Sequence, residues 1–193
     1  MVFPLGDDNS DRTTFPVVNI ALIVANILVF VFLQGVGQNI EFTYAFSTVP
    51  AEIISGRDIV TENQTILMNT ARGRQQVTIP GLQETPIPVY LTLITSMFMH
   101  GGIAHLLGNM WFLWIFGDNI EHDLGRGRYL GFYLICGILA SLTHVFLNTS
   151  GQSSLTPSLG ASGAISAVMG ACCFVLSRRC QPTWRWDCGF CFK

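Results

Sequence analysis

The sequence predicts an all-α protein, a polytopic membrane helix bundle with about four spans. Three observations predict it. Half of the 193 residues are apolar and only 11% are charged, where soluble domains carry roughly 25% charged residues. The apolar residues gather in long stretches, and a bilayer-spanning helix needs about 20 of them. Arginines flank those stretches on one side when the stretches alternate in direction, which is the pattern of a multi-pass chain.

The spans follow in order. Residues 1–14 carry Asp7, Asp8, Asp11 and a single Arg12, and do not read as a signal peptide. Span one runs from about Phe15 to Leu33 without a charge. The loop 34–88 follows; Phe42, Ala45, Phe46, Val49 and Ile53 recur in it at helical spacing. That spacing predicts an amphipathic helix, lying in the interface or packed on its own domain. Residues 57–88 read as polar and turn-rich. An apolar lead-in, Val89 to Met99, precedes span two, about Ile103 to Phe116. Span three covers about Tyr129 to Leu147 and span four about Leu159 to Leu176.

Arg12, Arg126, Arg128, Arg178 and Arg179 then fall on one side, which places the N-terminus, the 118–128 loop and the tail in the cytoplasm. The membrane domain is 15–177, and 178–193 is a tail of a different composition. The net charge of -2 and the lack of a basic stripe argue against a nucleic-acid partner. Cys136, Cys172 and Cys173 sit in apolar runs as small hydrophobes, and Cys180, Cys188 and Cys191 crowd the tail without a second metal-ligand pair. Asn63-Gln64-Thr65 and Asn148-Thr149-Ser150 are glycosylation sequons on the outer side, relevant in a eukaryotic secretory pathway.

Polar groups at membrane depth are costly, so each is a functional candidate. Topology brings His100, His105, Asn109, His144 and Ser162 to the outer half, while His122 lies on the cytoplasmic side. His105 and Asn109 are four apart and share a helix face, and Gly101-Gly102 separates His100 from them. Span four carries two small-residue stripes, Ser162/Ser166/Gly170 and Gly163/Ala167/Ala171, which let neighbouring helices approach closely. It opens with Gly160-Ala161-Ser162-Gly163, a tight backbone with unpaired N–H groups at a helix start. Ser162 there is either a helix cap or a nucleophile whose oxyanion the free N–H groups stabilise. His105 with Asn109 equally suits a pin between two helices. A metal site from His100, His105 and His144 lacks carboxylate or thiolate support at matching depth.

The run His100-Gly101-Gly102-Ile103-Ala104-His105-Leu106-Leu107-Gly108-Asn109-Met110 resembles the second helix of rhomboid intramembrane serine proteases. The likeness continues through Phe116-Gly117-Asp118-Asn119-Ile120-Glu121 and Gly125-Arg126-Gly127-Arg128-Tyr129. Gly160-Ala161-Ser162-Gly163 resembles the family's G-x-S-G motif, and the likeness runs from about Thr95 to Leu176. The resemblance implies a rhomboid-like bundle in which Ser162 attacks a peptide bond of another protein's transmembrane helix. It implies His105 and Asn109 as oxyanion donors and Gly160 as the glycine admitting the chain to the site. Gly163 belongs to the same motif, and His100 has a structural role. It implies no cofactor, transmembrane substrates and a multi-pass location, read here as the plasma membrane.

The likeness departs after Leu176. The family core has six spans and a base His on the sixth; here about four are present and no His follows His144. A truncated or frameshifted reading of a protease gene accounts for this, as does a chain that binds membrane helices without cutting them. His144 as a substitute base is a third account. Exposed small-residue faces would also favour self-association.

Overall fold

The computed structural model describes residues 15–70 and 73–179. The segment 1–14 and the tail from Cys180, with Cys188 and Cys191, lie outside them. The order is helix α1 (Val17–Leu28, continued by a π turn Val29–Leu33), α2 (Ile40–Ala45), α3 (Pro50–Ser55), strands β1 (Gln64–Thr70) and β2 (Gly73–Ile79), α4 (Thr92–Thr95), α5 (Ile103–Leu124), α6 (Arg126–Leu147) and α7 (Ser162–Arg179). The long helices α1, α5, α6 and α7 pack side by side.

The long helices leave many large apolar side chains on the outside. Helix α6 is long and apolar enough to cross a bilayer, yet only 17% of its most apolar stretch is buried. Ile135, Leu139 and Phe146 on α6, and Val24, Ile27 and Phe32 on the first helix, point outward. The interior holds Leu113, Tyr129, Tyr133 and Val168 together with polar groups, among them Asn19, Asn26 and His100. Most buried polar groups are hydrogen-bonded, and the contacts of Asn19 illustrate this.

Leu113, Gly117 and Glu121 stand four apart on one face of α5 and receive the start of α1. The Asn19 amide donates to the Leu113 carbonyl at 3.0 Å, and the Tyr129 hydroxyl donates to Asn19 Oδ1 at 2.8 Å. The Glu121 carboxylate accepts from the backbone N–H groups of Val18 (3.1 Å) and Asn19 (2.7 Å). Pro16 gives α1 no side-chain cap, so a carboxylate of another helix caps it, with the sign the helix dipole favours. The expected 118–128 loop is therefore mostly helix. Asp118 and Glu121 are buried within α5. The capping bonds give Glu121 partners, and the chain turns only at Gly125, φ 79°.

The loop 34–88 also differs from expectation. Instead of one amphipathic helix there are two of six residues, separated at Phe46–Val49 ahead of Pro50, because proline disfavours a helical residue before it. Both pack on their own domain. Thr48, Val49 and Glu52 are buried. Glu52 Oε1 accepts from the Ile59 N–H at 3.3 Å, and its Oε2 has no partner among the described residues. The stretch read as turns contains an antiparallel hairpin, Gln64 opposite Ile79 through Thr70 opposite Gly73.

The lead-in Val89–Phe98 meets α5 at 80°, with His100 to Gly102 between them. Met97 occupies the notch left by Gly137 on α6, where a Cβ would come 3.3 Å from Met97 Cγ and nearer still to its sulfur.

Candidate active site

His105 and Asn109 stand one turn apart on α5, and both face Gly160. A Cβ on Gly160 would lie 2.8 Å from His105 Cε1, 2.9 Å from His105 Nε2 and 3.7 Å from Asn109 Nδ2. Gly160 has φ +113°, a conformation that favours glycine, so backbone and imidazole approach in a way no other residue permits. Two residues on, Ser162 opens α7. The Ile165 N–H is taken by the Ala161 carbonyl at 3.0 Å, so the earlier N–H groups of the first turn have no helical acceptor.

One hydrogen bond favours one tautomer of His105. The Gly101 N–H donates to His105 Nδ1 in a long 3.4 Å bond, which makes Nδ1 an acceptor. A neutral ring then carries its proton on Nε2, the atom beside Gly160. Asn109 Nδ2 is buried and has no partner among the described residues. Asn109 Nδ2 and His105 Nε2 thus lie together beside Gly160 at the mouth of α7, and no acceptor among the described residues pairs with the buried Asn109 amide. Unpaired buried donors are expensive, and an oxyanion hole is one arrangement that uses them.

Residues without a local sequence signal hold this geometry. The Gly160 N–H donates to the Ser96 carbonyl at 2.8 Å. Thr48 and Ser158 exchange backbone bonds of 3.0 and 2.8 Å, and the Thr48 hydroxyl bonds the Thr92 carbonyl and Ser96 Oγ at 2.9 Å each. Gln34, fully buried, bonds the His100 carbonyl and accepts the His100 N–H, both at 2.9 Å. His100 is itself fully buried, its ring edge-on to His105 at 5.2 Å between centroids. Gly163 lets α7 close on Ala140 of α6.

Ser162, Ser166 and Gly170 form an exposed line, while α7 buries Ala164, Ile165, Val168 and Cys172. Among the described residues, no hydrogen bond joins the Ser162 hydroxyl to an imidazole. His144 lies near the end of α6, its Nδ1 3.4 Å from the Asn148 amide nitrogen and its Nε2 buried without a partner. The structure thus brings His105, Asn109 and Gly160 together at the start of the Ser162 helix, and holds His100 one ring away. It makes no bond between His144 and that group.

Fold and site together define a membrane helix bundle with a serine at the mouth of a glycine-led helix, beside an imidazole and an amide of the neighbouring helix. Residues 88–188, just over half of the chain, match the family described as the rhomboid domain, and the chain belongs to that family. It is similar to presenilin-associated rhomboid-like protein A, mitochondrial, of Danio rerio, at 39% identity over 43% of this chain and 21% of that protein. It is similar to rhomboid protease GluP of Bacillus subtilis, at 42% identity over 45% of this chain and 16% of that one. It is also similar to RHOMBOID-like protein 6, mitochondrial, of Arabidopsis thaliana, at 45% identity over 41% of this chain and 24% of that one. The chain thus spans about a fifth of the length of the curated relatives it matches. No solved structure matches it. The family includes serine proteases, and membership makes this a membrane protein. The plasma membrane expected from sequence is not supported, since relatives named as mitochondrial are among the matches.

Proposed function

We propose that this chain carries the nucleophile and the oxyanion site of an intramembrane serine endopeptidase that cuts transmembrane-helix substrates. The observation that carries the reading is the placement of His105 Nε2 and Asn109 Nδ2 against Gly160, two residues before Ser162, with Asn109 Nδ2 buried and without a partner among the described residues. Ser162 Oγ attacks the scissile carbonyl and its proton passes to a base. The negative oxygen is then received by His105, Asn109 and the free N–H groups of the first turn of α7. As the intermediate collapses the peptide C–N bond breaks, the base returns its proton to the departing amine, and water hydrolyses the Ser162 ester by the same steps. No imidazole of the described residues bonds Ser162, so the base has to be supplied from outside them, in the place the family gives to a sixth-helix His, against the exposed Ser162/Ser166/Gly170 face. A substrate helix must unwind locally, because its carbonyls are already hydrogen-bonded. Residues 15–177 form the membrane domain, with the Arg126 and Arg128 end and the N-terminus on the cytoplasmic side.

The unpartnered Ser162 hydroxyl also favours a second reading, a rhomboid-like chain that binds membrane helices without cutting them. A serine-reactive fluorophosphonate separates the two. Labelling of the purified protein in bicelles that disappears in Ser162→Ala is the expected result. An unlabelled wild type that still captures a transmembrane peptide supports the second reading.

A further inference from the structure

The loop between α1 and the lead-in holds a cleft of about 410 Å³ between residues 38–41 and the base of the hairpin, lined by Gln38, Asn39, Glu41, Asn63, Pro80 and Gln83. The cleft is open and mostly polar, a shape that suits a segment lying across the surface rather than an enclosed small molecule. Asn39 is committed to the chain: it donates to the Leu33 carbonyl (3.2 Å) and accepts from the Phe42 N–H (3.1 Å). Asn63 and Gln83 are half committed. Asn63 Oδ1 accepts from the Gly81 N–H at 2.8 Å and Gln83 Nε2 donates to the Gly81 carbonyl at 2.9 Å. Among the described residues, the Asn63 NH₂ group, Gln83 Oε1, the Gln38 amide and the Glu41 carboxylate have no partner. The cleft therefore offers one negative charge, amide donors and amide acceptors, and no cation.

Those groups complement a polypeptide backbone in extended form with a lysine or arginine for Glu41. They do not suit an anionic ligand, and one carboxylate is too little for a divalent cation. The rim is also braced to the site. Gln34 bonds Thr43 Oγ1 of α2, the helix that carries Glu41, at 2.8 Å and the His100 backbone on its other side. A Cβ on Gly37 would sit 3.9 Å from Gly102 Cα. A peptide in the cleft shares one rigid frame with the turn that sets His105.

We infer that this cleft docks the extended basic segment that adjoins a substrate's membrane helix outside the bilayer, an identification of the occupant that rests on the protease reading above. The test uses full-length Ser162→Ala protein in nanodiscs, so that no cleavage interferes, and fluorescent 12-residue peptides followed by anisotropy. A lysine- and arginine-containing peptide binds and an acidic one of equal length does not. Glu41→Lys weakens binding by about tenfold or more, corresponding to about 1.4 kcal/mol, and added salt weakens the wild-type complex. Unchanged melting of Glu41→Lys shows that the loop remains folded, and Gln38→Ala with Gln83→Ala is the uncharged second variant. Equal binding of both peptides, or binding indifferent to Glu41 and to the amides, overturns the proposal. The source is assigned with the wild type and a cleavable transmembrane helix carrying the same basic segment. The segment lowers KM, and Glu41→Lys abolishes that gain without changing cleavage of the segment-free helix. Free-peptide binding with no gain on fusion overturns the assignment to substrate. A wild type that cuts nothing refutes the protease reading and its substrate assignment, and leaves the binding result to stand as a separate fact.

Discussion

Replacing Gly117 by alanine runs two general effects against each other. In a helix interior the change from glycine to alanine stabilises by about 1 kcal/mol. At this position the added Cβ would lie 2.6 Å from Asn19 Cγ and 2.6 Å from the Tyr129 hydroxyl, far inside ordinary contact. The Asn19 amide must leave its slot, which breaks its bonds to Leu113 and Tyr129 and strands buried groups on three helices. Each buried group left unpaired costs about 1–3 kcal/mol, so the expected net loss is about 3–5 kcal/mol. The assay is equilibrium unfolding of the purified protein in mixed micelles, followed by far-UV circular dichroism. Asn19→Ala empties the slot, so the double variant Gly117→Ala/Asn19→Ala is less destabilised than the two single losses added together. Such non-additivity is the mark of groups in direct contact. A Gly117→Ala protein as stable as the wild type, or more so, would show that the slot is not filled as described and refute the reasoning.

Gly160→Ala places a methyl 2.8–2.9 Å from a ring already held by Gly101 and His100, at φ +113°. Displacing the ring by several tenths of an ångström should slow fluorophosphonate labelling about 10–100-fold, and labelling at the wild-type rate contradicts the assigned geometry. Gly131→Ala on α6, with open space around its Cβ, leaves labelling unchanged and serves as the control. Glu121→Gln keeps the shape of the α1 cap but removes its charge and turns one acceptor into a donor. A loss of about 1–3 kcal/mol in the same unfolding assay is expected; no loss means that α1 is capped otherwise. Burial raises the Glu52 carboxyl from 4.5 to about 7, with the Ile59 N–H opposing the rise and the Asp58 charge adding to it. The folded protein therefore holds a proton that the unfolded chain releases above about pH 4.5. Stability from this group is full below that pH and is lost as pH rises through about 7, by up to about 3 kcal/mol. Glu52→Gln should flatten the slope, and a wild type with no slope between pH 5 and 7.5 contradicts it.

The long helices were legible because lipid-facing apolar runs leave a strong one-dimensional signal. His105, Asn109 and Ser162 were legible for the related reason that polar groups stand out against such a background, and the motif around them is distinctive. The extension of α5 through Asp118 and Glu121 was hidden, because charges read as a loop unless a partner is known. That partner, the start of α1, lies about a hundred positions away in sequence. The hairpin was hidden by its Thr- and Gln-rich strands, which lack a clear alternation of apolar and polar residues. Gln34, Thr48, Ser96 and Ser158 carry no motif; they matter through pairings that only the folded chain creates.

Those pairings have a consequence. The stretch that delivers Ser162 is fastened to Thr48 through Ser158 and to Ser96 through Gly160, so its position is set by the extramembrane loop as much as by α7. Substitutions in that loop are therefore a means of moving Ser162 relative to His105 and Asn109 without altering any of the three.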